Sequence, residues 1–515
     1  MKRSNCCLLW KLVLAAAGWA TGITSEAAVI NLTTNDNYTK IESANPGDEV
    51  VIASGTYSFR VYLTKQAGVT NPITIRAQDP ANPPVWDFGN TLVENAPGSY
   101  TAGDRGRGGW QFSGARNYRI SGIVFRHCRT ASFNSAGIRY YNTTTNLHIK
   151  DCVFHLNDNG LTGGTQNSDA TVEFCEFNAN GNTNASFSSP THNIYVYGGN
   201  LALRYCCVRD PVQGQNFHIR CRNATLEYNW FARANSYEGD LMTDDDFSGV
   251  GPFSQTLTLR GNVIVQKSNP LNNSQVIAIY NDGALANLTL NVRAFYNTFV
   301  GNGGIAAFVH VSNADGTQMN AEISDNIISG TTRPALIENT GAASVNGVNN
   351  WIKTNATVGT PTSGYLSNSV RSASPGFRNA TTQDFTLTNN SICIGAASAT
   401  EFGLPGREYY LNEATNRQWR IRDAGRDIGA FESTSTNSPV GPYSPEPRPR
   451  LSITATGTNV IASWPLFAQD FGLESAGVGS PIAWSKSPFM SVTNTTAVVT
   501  ITPIIAGGGL FRLRK

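Results

Sequence analysis

The chain has 515 residues and a mass of 55.4 kDa, enough for about two to four domains or one long repeat array. Only 14% of the residues are charged, against about 25% in an average soluble domain, while 40% hydrophobic content excludes disorder over most of the length. A net charge of +2 excludes binding dominated by nucleic-acid phosphates, and abundant Gly, Asn, Thr and Ser point to an all-β protein rather than long amphipathic helices.

At the N-terminus, Lys2 and Arg3 precede an apolar stretch from Cys6 to Ala20, interrupted by Lys11, and Ser25-Glu-Ala27 supplies a small-x-small cleavage signal. This pattern predicts a secretory signal peptide over residues 1–27, cut near Ala27. The apolar run is short for a span of ~20 residues, and no later stretch is long and apolar enough for one. The mature chain is therefore expected to be exported, without a membrane span. Of nine cysteines, Cys6 and Cys7 leave with the leader, so Cys128, Cys152, Cys175, Cys206, Cys207, Cys221 and Cys393 remain. Their number is odd, which leaves at least one free thiol, and no CxxC pair or His spacing suggests zinc.

One phrase then recurs: alternating apolar residues, a Cys or Asn, any residue, and another apolar residue. It reads Leu147-His-Ile-Lys-Asp-Cys152-Val-Phe154, Val172-Glu-Phe-Cys175-Glu-Phe177, Leu203-Arg-Tyr-Cys206-Cys-Val208 and Leu226-Glu-Tyr-Asn229-Trp-Phe231. Later copies carry Asn262, Asn297 and Asn326, and Ile120-Ser-Gly-Ile-Val-Phe125 is an earlier degenerate one. The Cys/Asn position recurs at intervals of 23, 31, 23, 33, 35 and 29 residues. Short alternating strands at such a period, with Gly- and Asn-rich turns, indicate a parallel β-helix; an antiparallel sandwich needs tight hairpins and does not repeat in phase. In such a solenoid, equivalent residues stack about 4.8 Å apart. Asn at the stacked position can bond both its neighbour and the turn backbone, and Cys is small and apolar enough to fill the same slot. The expected ladder is Cys152, Cys175 and Cys206, reduced and inward, continued by Asn229, Asn262, Asn297 and Asn326.

Asn45-Pro-Gly-Asp-Glu-Val-Val-Ile-Ala-Ser-Gly-Thr-Tyr57 and Pro72-Ile-Thr-Ile-Arg76 resemble the opening phrases of secreted bacterial right-handed parallel β-helix proteins of the pectate-lyase-like class. His192-Asn-Ile-Tyr195, Gly214-Gln-Asn-Phe-His-Ile-Arg220 and Ser236-Tyr-Glu-Gly-Asp240 resemble phrases of one group of β-helix proteins, in which Lys commonly stands in place of His218. Asp427-Ile-Gly-Ala-Phe-Glu432 resembles its closing phrase. The resemblance implies the fold over roughly residues 30 to 432. It implies no single reaction, because the fold hosts lyases, hydrolases, epimerases and adhesins.

The expected organisation is a solenoid over residues 28–432 of about 13–14 coils, a Pro/Ser-rich linker over 433–450, and a small C-terminal β domain over 451–515. The last resembles modules appended to secreted bacterial proteins.

Chemistry concentrates between residues 192 and 240. Phe217-His-Ile-Arg-Cys-Arg222 alternates strictly, so Phe217, Ile219 and Cys221 point inward while His218, Arg220 and Arg222 share the outer face. Aligned by the 23-residue interval from Cys206 to Asn229, Asn193 falls beside Asn216, Tyr195 beside His218 and Tyr197 beside Arg220. Glu238 and Asp240 are placed only loosely, near one edge. Such a patch suits an acidic polysaccharide. β-Elimination in a uronan needs a group that neutralises the carboxylate, a base for the C5 proton and an acid for the leaving oxygen. Arg220 or Arg222 can neutralise, since guanidinium pairs with carboxylate; His218 can be base with Tyr195 as acid, or the reverse. The expected catalytic set is thus His218, Arg220 and Tyr195, with Arg222, Tyr197, Asn193, Asn216 and Asp240 binding substrate. The alternatives are a hydrolase using Asp240 and a second carboxylate, a non-catalytic adhesion or glycan-binding solenoid, and a merely solvated ladder face. Asp244-Asp-Asp246 is a candidate oxygen cluster for Ca²⁺; no other cofactor is implied, and a monomer is expected.

Overall fold

The computed structural model describes residues 27–514 except 93–106, 185–190, 245–251, 269–274, 282–287, 302–306, 313–316, 331–335, 341–342, 361–364, 399–403, 414–416, 424, 478–483, 487–491, 494–496 and 504–508. The expected leader lies outside the described residues. Among them, no helix is long and apolar enough to cross a membrane.

Parallel strands build a right-handed parallel β-helix. Each coil contributes three strands, which stack into three ribbons. The first ribbon runs from Val61–Leu63 through Ala136–Tyr141 to Gly359–Thr360, and the second from Val29–Leu32 through Leu147–Lys150 to Ser344–Asn346. The strands Ile194–Arg204 and Phe217–Glu227, 11 residues each, belong to both and join them into one 21-stranded sheet. The third ribbon is a 12-stranded parallel sheet ending at Val370–Ser372. The short helix Tyr38–Glu42 covers the first coils with Ile41, its first turn capped by Asn37, whose Oδ1 accepts from the Thr39 amide at 3.0 Å.

The Cys/Asn ladder occupies the corner between the second and third ribbons. Cys152 N donates to Cys175 Sγ and Cys175 N to Cys206 Sγ, both at 3.4 Å, and Cys206 N donates to Asn229 Oδ1 at 2.9 Å. The amide ladder then runs through Asn262, Asn297 and Asn326 to Asn350, one rung beyond the expected end. Each rung is saturated. Asn262 Nδ2 donates to Leu226 O and Asn297 Oδ1, while its Oδ1 accepts both the Asn229 amide and Asn229 Nδ2. All seven cysteines from Cys128 onward are reduced and buried.

The residue before each rung is left-handed: Asp151, Phe174, Tyr205, Tyr228, Tyr296, Asp325 and Asn349 have φ between 51 and 57°. Such a conformation costs about 1–2 kcal/mol for a non-glycine residue, and it recurs because the ladder fixes the corner around it. It turns large side chains outward, and the chain uses them. After Ser372 no further coil forms; the chain doubles back over the third ribbon. Trp419 stacks on Tyr205 with ring centroids 5.5 Å apart, and Phe385, Tyr409, Ala430 and Phe431 cover Cys207, Trp230, Val263 and Val265. The solenoid therefore has twelve coils in its third ribbon, fewer than the expected 13–14, because residues 373–432 form a strap along its side.

Residues 451–514 form two small antiparallel sheets, one of four strands and one of three. They rest on the strap rather than hanging from a linker. Arg407 donates to Phe467 O, pairs with Asp470 at 3.0 Å, hydrogen-bonds the Tyr205 hydroxyl and lies over the Trp419 ring, and Leu466 enters the apolar cluster under Tyr296 and Trp351. The proline-rich stretch is likewise pinned, with Val440 pairing Trp419.

The ladder sets a stability expectation. Asn262→Leu strands the Asn229 amide and the Leu226 carbonyl, at about 1–3 kcal/mol for each orphaned group. Asn262→Cys keeps a residue the same ladder uses three times. Thermal melts should show a clear Tm loss for the leucine variant and a markedly smaller one for the cysteine variant; equal losses would mean the amide bonds are not what matters there.

Candidate functional site

Register brings the candidate residues together on the first ribbon. Thr162, Tyr195, His218 and Asp240 lie in one row across four adjacent strands, continued by Ala278 and His310. The row reproduces the expected pairing of Tyr195 with His218, and of Tyr197 with Arg220 beside it. It also fixes what the sequence placed only loosely. Asp240, on Gly239–Met242, is the direct neighbour of His218.

His218 Nδ1 lies 2.9 Å from Asp240 Oδ2. The Tyr195 ring stands edge-on to the His218 ring at 4.6 Å, and the His192 ring lies 4.9 Å from His218 and 5.4 Å from Tyr195. The Tyr195 and Tyr197 rings are 5.7 Å apart, both half-buried. Asp240 is 1% exposed and also receives hydrogen bonds from the Tyr237 and Tyr280 hydroxyls. Burial pushes its carboxyl well above the ordinary range, more than these hydroxyls pull it down. The raised Asp240 carboxyl thus faces the His218 imidazole at hydrogen-bond distance. Burial and the neighbouring His218 push His192 the opposite way, so it is neutral, with Nδ1 accepting the Gln215 amide at 3.3 Å.

Arg220 is a different residue from the free cation the sequence suggested. It is 8% exposed, and its guanidinium is committed: Nε donates to Thr243 O at 3.2 Å, Nη1 to the Tyr195 hydroxyl at 3.4 Å, and Nη2 faces Asp244 at 3.7 Å. Asp244 Oδ2 in turn accepts the Gly198 amide at 2.8 Å. Asp244 thus braces Arg220 from below. Asp245 and Asp246, the other members of the candidate calcium cluster, lie outside the described residues. Arg222 is partly exposed and lies 4.4 Å over the Phe253 ring.

Asn193 and Asn216, expected to bind substrate, have no exposed surface. They belong to a second ladder, at the corner entering the first ribbon, which the sequence did not reveal. It runs Cys128, Asn157, Asn180, Asn193, Asn216 and Glu238, each donating to the next through backbone or side-chain nitrogen. The recurring signal was present as Asn157, Asn180, Asn193 and Asn216, but loop insertions scatter its spacing. This second ladder underpins the site, since Asn193, Asn216 and Glu238 immediately precede the strands bearing Tyr195, His218 and Asp240. His192, Tyr237 and Tyr280 were likewise not singled out; Tyr280 is brought in only by the pairing of Met242 with it across an inserted loop. Among the described residues, no group of three or more His, Cys, Asp or Glu side chains is arranged to hold a metal ion.

Comparison with known structures finds an alginate lyase from Paenibacillus sp. str. FPU-7 at 15% identity, covering 66% of this chain and 97% of that one, with a TM-score of 0.40. It also finds pectate lyase Pel9A at 13% identity, covering 79% and 97% with a TM-score of 0.44, and a GH136 lacto-N-biosidase from Eubacterium ramulus at 11%, covering 67% and 68% with a TM-score of 0.38. No protein-family model and no curated protein sequence matches the chain. The similarities are ones of fold.

Glu238 ends the second ladder as a buried acid. Its Oε2 accepts Asn216 Nδ2 at 2.6 Å and its Oε1 the Ala234 amide at 3.0 Å, yet burial pushes its carboxyl up to about 8. A folded-state value above the unfolded one means that its stabilising contribution is complete at acid pH, declines above the ordinary range near 4.5 and is lost as pH rises through about 8. Glu238→Gln, whose amide oxygen can take both donors as the ladder asparagines do, removes this titration. Melting curves should show the variant gaining on wild type between pH 5 and pH 9. A Tm difference that does not change with pH would contradict this.

Proposed function

We propose that the chain is a polysaccharide lyase that cleaves an acidic, uronate-containing polysaccharide by β-elimination on the outer face of the first ribbon. The observation that carries this reading is the pairing within one row of a phenol that accepts from a guanidinium, Tyr195 with Arg220, and an imidazole hydrogen-bonded to a buried acid, His218 with Asp240.

Of the two assignments open in the sequence, this arrangement favours Tyr195 as base. The Arg220 N–H on its oxygen stabilises the phenolate that takes the C5 proton. The same phenol then returns that proton to the departing glycosidic oxygen, so the proton inventory closes on one residue. His218, oriented by Asp240 at its Nδ1, hydrogen-bonds the uronate carboxylate through Nε2 and offsets the charge that develops on it as C5 is deprotonated. Arg220 acts through Tyr195 rather than on the substrate. Arg222 and Tyr197, farther along the same face, bind neighbouring sugars. Export by the N-terminal leader would bring the enzyme to such a polymer.

The carboxylates weigh against a hydrolase. Glycoside hydrolysis by two acids needs both to face the substrate, and Asp240 and Asp244 are both 1% exposed, behind His218 and Arg220. A purely adhesive solenoid would have no need of a buried Tyr/His/Asp/Arg assembly confined to neighbouring coils.

A panel of alginate, pectate, chondroitin, ulvan and neutral glycans, followed by ultraviolet absorbance of unsaturated uronate ends, tests the reading. Activity on a uronan is expected, with Tyr195→Phe lowering kcat by about 10²–10⁴-fold and Arg220→Ala lowering kcat more than it raises KM. Reducing ends without unsaturation would replace the lyase by a hydrolase, and no product from any glycan would favour the adhesive alternative. Full activity in Tyr195→Phe would remove the site assignment while leaving the class.

A further inference from the structure

The second ribbon carries a groove of its own, on a different face and in earlier coils. It has a volume of 450 Å³ and is lined among others by Thr74, Arg119, Ser121, His148, Lys150 and Thr171. The lining is set by register: Thr74, Arg119, His148 and Thr171 form one outward row, and Ser121 and Lys150 the next. Counted along the row from Arg119 through His148, Thr171 and Ala202 to Thr225, Arg119 lies four coils before the coil bearing His218, or about 19 Å along the axis.

Two of its cations are uncommitted. Many outward arginines elsewhere on the solenoid are spent on carboxylates: Arg76 on Glu49, Arg126 on Asp87, Arg129 on Asp158, Arg204 and Arg260 on Glu227, and Arg209 on Glu176. Arg119 is exposed and makes no hydrogen bond or ion pair with any described residue. Lys150 has no carboxylate within ion-pair distance among the described residues; its ammonium lies 5.8 Å from the centroids of both the Phe174 and Tyr443 rings, which fix its position. The adjacent Glu173 carboxylate is taken by His148 at 3.0 Å. Arg119 and Lys150 sit on neighbouring strands two positions apart, a diagonal of about 7–8 Å.

The remaining surface is what a sugar needs. Ser121 adjoins both cations, the Thr74 and Thr171 hydroxyls lie on the flanking strands, and Tyr443, brought by the returning chain, stands at the Lys150 rim with 53% of its surface exposed. Polar hydroxyl partners, an exposed aromatic face and two unneutralised cations on a rigid sheet match an anionic carbohydrate better than a neutral one.

We propose that this groove is a second, non-catalytic binding site for an acidic glycan, in which Arg119 and Lys150 pair with successive carboxylates of a uronan chain. The proposal shares with the lyase reading only the class of polymer. It assigns the protein a hold on its substrate about four coils from the reacting bond, which matters for long chains and not for short ones.

The test is titration calorimetry of the full chain with oligogalacturonate and with oligoalginate, in the Tyr195→Phe background so that nothing is turned over. The background is compared with the same chain carrying Arg119→Ala and Lys150→Ala. The proposal expects at least one of the two oligouronates to bind, with affinity falling as salt rises, and the double alanine variant to lose at least tenfold in affinity while its melting temperature is unchanged. A neutral oligosaccharide of equal length should not bind the groove. Unchanged affinity in the double variant, equal binding of the neutral chain, or no binding of either oligouronate each overturns the proposal. The two readings fail separately. Groove binding without unsaturated products from any glycan removes the lyase and leaves this site, whereas elimination activity with the double variant binding as tightly as its parent does the reverse.

Discussion

The structure depends on how the solenoid satisfies its corners. A chain that turns three times per coil buries backbone amides and carbonyls at every turn, and an unmet one costs about as much as a lost hydrogen bond. Two ladders meet this need. One side chain per coil accepts from the rung below and donates to the backbone beneath, so each corner is satisfied only because its neighbour exists. That dependence makes the coils cooperative with their neighbours. It also explains why cysteine and asparagine alternate at one position: the thiol and the amide both accept from the amide of the preceding rung, at 3.4 Å and 2.9 Å respectively.

The same constraint orders the candidate face. Where two coils are separated by 23 residues with no insertion, every outward side chain of one strand is held beside its counterpart on the next, as Tyr195 is beside His218. A rigid sheet places the pair; the buried partners behind it give it chemistry. Asp240 and Asp244 lie below the surface and hold His218 and Arg220 in turn, so the exposed layer is aromatic and imidazole while the carboxylates work from beneath. The returning chain closes the third ribbon, leaving the first two ribbons as the faces open to a polymer.

Much of this was legible in the sequence, because stacking repeats a residue type at a fixed place in each coil. Cys152 through Asn326 could be read as a ladder from spacing alone, and the strict alternation of Phe217 to Arg222 settled which side chains face out. The rest was hidden for identifiable reasons. Asn193 and Asn216 look like polar residues on a functional strand, yet they end a corner and point inward, a distinction that alternation within the strand does not make. Arg220 looks like a free cation because its partners, Thr243 O and Asp244, arrive from a coil with an inserted loop. The strap could not be foreseen from periodicity, since its residues neither alternate like a coil nor break like a linker; its signal lay in the aromatic residues at the left-handed corners, Phe174, Tyr205, Tyr228 and Tyr296, which need a cover.

The central claim is that an acidic polysaccharide lies across the first ribbon with its reacting sugar over Tyr195 and His218. A crystal structure of the Tyr195→Phe variant soaked with a uronate oligosaccharide tests it most directly. The account predicts a sugar whose C5 hydrogen faces the ring of residue 195 and whose carboxylate is within hydrogen-bond reach of His218. An oligosaccharide bound with that face bare, or bound there with its carboxylate turned to solvent, would contradict it.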